Sequence, residues 1–214
     1  MKDAWNSYKE ALFSKMPSLR ATLGAGVSKT EIKAVEDKMG ITFPADLRTL
    51  YLKNNGDNGE KWCGMILGYH FLPLDELYYQ WESWRDIINE WTPEEIEKRS
   101  VNSSVPVGCI KQRYADLKWI PICEDGSGNH IGVDLDPDVN GKVGQVINFG
   151  RDEDDKHVLA DSLKTFFERL TRIVNSDDFF IGEIEDEEVI FLGENNEEEG
   201  SCLIDYLKDE DSVK

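Results

Sequence analysis

The densest run of oxygen-bearing side chains in this 214-residue chain is Asp134-Leu135-Asp136-Pro137-Asp138-Val139-Asn140-Gly141, which superficially resembles the start of a calcium loop. The details disagree. Such a loop needs glycine at its sixth position and a bidentate glutamate at its twelfth; Val139 and Gln145 stand there, and Pro137 stiffens the backbone between ligands. A polar turn between strands, with Asp and Asn accepting backbone hydrogen bonds, accounts for the pattern. Gly126-Ser127-Gly128 lacks the lysine of a phosphate-binding loop and precedes no helix, so a tight hairpin is expected there, and no GxSxG nucleophile elbow occurs. His70, His130 and His157 are isolated in sequence. Cys63, Cys109, Cys123 and Cys202 show neither CxxC spacing nor an accompanying histidine cluster, and are expected to be free, buried thiols. A glycosidase-like pair could arise by chance among so many carboxylates, but no spacing indicates one. The residues point to recognition, with no catalytic, metal or cofactor site expected.

The elements that must position these residues begin with helices. Trp5, Tyr8, Leu12, Phe13 and Met16 recur at helical spacing up to Pro17. Ser28 and Glu31 form a capping box ahead of Ile32, Val35 and Met39, and Gly40 ends that helix. Pro44 opens a third helix with Leu47, Leu50 and Tyr51 inward, closed by Asn54-Asn55-Gly56. After an apolar, glycine-punctuated stretch from Met65 to Leu72, residues 74–91 read as a helix whose Tyr78, Trp81 and Trp84 form a core stripe, and Thr92-Pro93 starts another short helix. The period then changes to that of strands at 105–110, 117–123, 130–135 and 145–149, an antiparallel meander. A helix over 159–174 and a hairpin from 179–184 with 188–192 complete the body. The class is α+β: a single domain with a central, mostly antiparallel sheet flanked by helices.

Charge divides the chain unevenly. Of 43 acidic and 24 basic residues, 13 acidic and 2 basic fall within 183–214, so the body is expected over 1–182 and an acidic extension over 183–214. That extension reads either as an ordered hairpin plus a short helix near Cys202–Leu207, or as a solvated acidic tail. The formal charge of -19 argues against nucleic acid, whose phosphates select a basic face, and favours basic protein partners. No run approaches the roughly 18 apolar residues of a membrane span, and the first residues lack both a basic and an apolar leader segment, which places the expectation in the cytoplasm.

Two blocks taken together resemble the SUKH superfamily, which includes fungal cell wall assembly regulators and bacterial toxin-immunity proteins. The first runs Gly26-Val27-Ser28, Glu31, Ile32, Val35, Glu36, Gly40, Phe43-Pro44, Leu47, Leu50-Tyr51 and Asn55-Gly56. The second runs Trp119-Ile120-Pro121-Ile122, Asp125 to Asn129, Gly132 to Pro137, Gly144 to Ile147 and Phe149-Gly150. Phe71 to Leu77 looks like the family's strand-to-helix junction, and Leu159 to Leu163 like the opening of its last core helix. The resemblance implies an α+β fold without catalytic residues and, for bacterial members, protection by binding a toxin. The leading expectation is therefore an immunity protein neutralising a cognate toxin, plausibly a basic nuclease toward which acidic charge would steer it. The alternative is a regulatory or scaffolding module of the fungal type. For the immunity reading the expected contact edge comprises Glu124, Asp125, Asn129, Asp134, Asp136, Asp138, Asp152, Asp154 and Asp155, helped by Glu197, Glu198 and Glu199.

Overall fold

Side-chain caps start the helices where the sequence puts them. Ser28 accepts from the Glu31 amide while Glu31 reaches back to the Ser28 amide, and Gly40 ends the helix at φ 67°, in the left-handed region. The computed structural model describes residues 1–61, 63–99, 103–193 and 201–212. It contains α1 (Lys2–Lys15), a 3₁₀ turn at Pro17–Ala21, α2 (Lys29–Met39), α3 (Ala45–Tyr51), β1 (His70–Phe71), α4 (Leu74–Glu90) and α5 (Pro93–Arg99). There follow β2 (Ser103–Val105), β3 (Trp119–Glu124), β4 (Asn129–Asp134), β5 (Gln145–Gly150), β6 (Asp155–Ala160), α6 (Leu163–Val174), β7 (Phe179–Ile184), β8 (Glu187–Leu192) and α7 (Leu203–Ser212).

Six strands form one sheet in the order β1-β3-β4-β5-β6-β2, antiparallel except where β2 runs parallel to β6; β7 and β8 form a separate hairpin. The α+β architecture is as the sequence implies, with three local differences. The expected strand at 105–110 is displaced: β2 ends at Val105, and the following residues turn back so that the Cys109 amide bonds the Pro106 carbonyl. The expected helix at 159–174 begins only at Leu163, where Ser162 caps it, because Leu159 and Ala160 belong to β6. Strand β1 holds only two residues, too few for an alternation to register.

Alternation along the central strands gives the sheet two buried faces. Ile120, Ile122, Ile131, Val133 and Val146 belong to the main core, beneath α1 and α6. There the Trp5 ring meets Phe167 edge-on at 4.8 Å and Phe71 at 5.6 Å. Trp119, Ile147 and Phe149 face the other way, into a smaller cluster closed by Trp84 and Ile110. Of the expected core stripe Trp81 and Trp84 are buried, while Tyr78 is half-buried at its margin.

The composition shift at residue 183 falls inside β7. Phe179, Leu192, Leu203, Ile204 and Leu207 are buried in the same core as α6, so the hairpin and α7 pack on the body. Cys63 and Cys123 are buried as expected, but Cys109 is only half-buried and Cys202 is exposed; all four thiols are free. Among the described residues no helix is long and apolar enough to cross a membrane.

Candidate partner-binding site

The register of β1, β3 and β4 sets three titratable side chains in a row across the sheet. His70 pairs with Glu124 and Glu124 pairs with His130, so residues isolated in sequence become cross-strand neighbours. His70 Nδ1 lies 3.1 Å from Asp57 Oδ1, and this hydrogen bond holds the imidazole above its ordinary range. Asp57 also accepts from the amides of Gly59, Met65 and Phe71, which pins the loop before β1 to that strand. Glu124 accepts from Gln80 Nε2 at 2.6 Å; burial, reinforced by Glu76, pushes its carboxyl up. His130 is 1% exposed with both ring nitrogens unbonded among the described residues, its ring stacked on Phe149 at 5.5 Å, and burial drives it down to about 4. Its Nε2 stands 4.0 Å from Glu124 Oε2.

Beside this row lies an open groove of about 680 Å³, lined by Asp57, Asn58, His70, Asp75, Glu76 and Glu124 among others. Asp75 and Glu76 occupy the first turn of α4, where the helix dipole favours negative charge, and both are exposed. The Asp125–Asn129 turn borders it. Burial raises the Asp125 carboxyl, but the hydrogen bonds from Asn129 and Ser127 outweigh this and hold it below the usual aspartate range. This is the tight hairpin that Gly126-Ser127-Gly128 implies. The Asp152 amide bonds Asn129 Oδ1 and the Arg151 amide bonds the Gly128 carbonyl, so the 151–155 loop stands against that turn.

The residues proposed as one contact edge divide between two ends of the sheet. Glu124, Asp125, Asn129, Asp152, Asp154 and Asp155 share one end. Asp134, Asp136 and Asp138 lie at the other, beyond six-residue β4, about 17 Å away. Two members are internal. Asn129 is buried and serves the turn; Asp134 is fully buried, accepts from the Asp136 amide and Gln145 Nε2, and is pushed by burial up to about 6. Both spend their polar atoms on the fold, which removes them from a surface. Asp136 is paired with Lys111 at 2.5 Å, which lowers its carboxyl. Glu197, Glu198 and Glu199 lie outside the described residues. Sequence reasoning missed Asp57, Asp75 and Glu76; the run Asp75-Glu76 behind Pro73 is a helix-start signal that marks the latter two.

An aromatic patch adjoins the acidic end. Tyr114, half-buried, meets Trp84 edge-on at 5.8 Å and Trp91 in a tilted contact at 5.2 Å, and Arg99 lies over the Trp91 ring at 4.3 Å. Burial pushes the Tyr114 hydroxyl up; Arg99 and Arg151 oppose this, while Asp152 and Asp154 reinforce it.

Residues 26–169 match the model of the SMI1 / KNR4 family (SUKH-1). The "Cell wall assembly regulator SMI1" of Saccharomyces cerevisiae is 26% identical over 207 residues, covering 83% of this chain and 41% of that protein. The "Glucan synthesis regulatory protein" of Neurospora crassa is 27% identical over 212 residues, covering 84% and 39%. The "Cell wall biosynthesis/cell cycle regulator smi1" of Schizosaccharomyces pombe is 30% identical over 173 residues, covering 78% and 34%. The chain thus spans between 34% and 41% of the length of these relatives, all named as regulators. With two thirds of its length matched by the family model, over the segment that builds the sheet and the helix bordering the groove, this chain belongs to the SMI1/KNR4 (SUKH-1) family.

Proposed function

We propose that this chain is a non-catalytic regulatory module that binds a basic segment of another protein at the acidic end of its sheet. The observation that carries the reading is the family match to relatives named as regulators of cell wall and glucan synthesis. This reverses the order of the two readings drawn from the sequence: the fungal-type regulator leads. Toxin neutralisation rests on the resemblance to bacterial members and on acidic charge, and the relatives named above are regulators.

The chemistry of the site fits that role. Asp75, Glu76, Asp152 and Asp154 are exposed carboxylates that steer a cationic partner and accept from Lys or Arg. Trp91, Tyr114 and Arg99 are the residue types that anchor interfaces, so the off-rate is set there. Asp125, Asn129 and Asp57 hold the loops rigid beforehand, which lowers the ordering cost of association.

A chimera tests the assignment. In yeast lacking SMI1, the matching core of that protein is replaced by this chain and growth is scored under cell wall stress. Restored growth supports the regulatory reading. No rescue by a folded, expressed chimera, together with a tight complex between this chain and a toxin encoded beside it, replaces that reading with immunity.

A further inference from the structure

The β7–β8 hairpin lies beyond the family-matched residues, and its two strands differ in how they meet the body. Ser18 donates to Glu188 at 2.7 Å and Lys61 pairs with Glu187 at 3.4 Å, so both faces of β8 are tied to the body. Strand β7 is different: Ile181 and Ile184 are 41% and 45% exposed, and Glu183 is exposed between them. Among the described residues β7 pairs with no strand except β8.

The turn fixes which backbone groups face out. Glu185 and Asp186 both have positive φ, 51° and 66°, and join the facing pair Ile184 and Glu187, a two-residue type I′ turn. The pair closing such a turn exchanges both backbone hydrogen bonds, and bonded pairs then alternate with unbonded ones. Gly182 with Val189 and Phe180 with Phe191 are therefore bonded inward. The N–H and C=O groups of Ile181 and Glu183 point away from β8 and have no backbone partner among the described residues. Glu183, Glu185 and Asp186 have no cationic partner among the described residues.

We propose that β7 accepts an extended segment of a partner protein by strand addition. Main-chain bonds to Ile181 and Glu183 provide the affinity, and alternate side chains provide the choice. Opposite Ile181 the edge favours an apolar side chain; opposite Glu183 and beside the Glu185-Asp186 turn it favours Lys or Arg. Charge selects a basic partner over a second copy, since each copy carries a formal charge of -19.

The test uses the full chain and a blocked threonine-based heptapeptide carrying one Val and one Lys two residues apart, so that they face Ile181 and Glu183 together, followed by amide exchange in NMR. The expected result is saturable binding that slows exchange of the Ile181 and Glu183 amides by about tenfold or more. N-methylation of both the Val and the Lys of the peptide, which removes the main-chain donors facing Ile181 and Glu183, abolishes that protection. Glu183→Lys weakens binding about tenfold with an unchanged melting midpoint, which separates lost recognition from lost fold. Three outcomes overturn the proposal: no saturable binding by about 1 mM peptide, binding that leaves both amides unprotected, or protection of both amides by self-association without peptide.

Discussion

The Arg169 guanidinium on α6 meets the Glu210 carboxylate on α7 at 2.7 Å, across 41 residues of chain. Arg169 is buried and also donates to the carbonyls of Leu159 and Leu207, so one side chain ties β6, α6 and the last helix together. Replacing it by leucine leaves two carbonyls without this donor and frees a partly exposed carboxylate. Arg169→Leu is expected to cost about 3 kcal/mol in urea unfolding and to make α7 susceptible to protease before the body unfolds. Equal protease resistance would show that apolar packing alone holds α7.

Glu36 plays the corresponding part between α2 and α3. Its buried carboxylate accepts from the Phe43 amide at 2.6 Å and from Arg48 through both Nε and Nη2 at 2.7 Å. Glu36→Ala orphans a buried amide and is expected to cost about 2 kcal/mol. Arg48→Ala should cost less, because Phe43 keeps its acceptor and Arg48 is already 42% exposed. Thermal midpoints of the two variants read the difference directly.

His130 and Asp134 impose opposite pH dependences. The His130 imidazole is buried neutral, at about 4 in the folded protein against 6.5 in the unfolded chain. As pH falls from 6.5 to 4 the unfolded state takes up a proton that the folded state refuses, and about 3 kcal/mol of stability is lost. Asp134 titrates at about 6 when folded against 3.8 when unfolded, so over the window from 6 to 4 the folded state takes up the proton first and stability is gained. Relative to the native chain, His130→Phe should gain stability as pH falls from 6.5 to 4. Asp134→Asn should lose it from 6 to 4. Chemical denaturation at intervals across this range gives both slopes; parallel curves for all three proteins would contradict the assignment.

The order of elements was legible because their signals are local. The Ser28–Glu31 capping box, the Gly40 stop and the Thr92-Pro93 start each act within one turn, and each appears in the fold. Strand β6 escaped because its Leu159 also fits the helical periodicity of Leu163 and Phe166, and only the Ser162 cap separates the two. The site was legible in part. Glu124, Asp152 and Asp154 could be named from composition and turns, but the row His70, Glu124, His130 depends on strand register, which no local window contains. Burial of Asp134 was equally hidden, since a turn aspartate that faces water and one that bonds Gln145 beneath the loop have the same sequence signature.

Carboxylates at one end of the sheet are proposed to recruit a basic protein. The most direct test is the on-rate between the chimera and the partner that it retains, compared at low salt for Glu76→Lys, Asp152→Lys and Asp154→Lys combined. Reversal of Glu10, Glu168 and Asp177, exposed acids outside that end, is the control. The first triple variant is expected to associate about tenfold or more slowly, with the loss fading as salt rises, while the control keeps most of its on-rate. Equal on-rates for the two triples would contradict it.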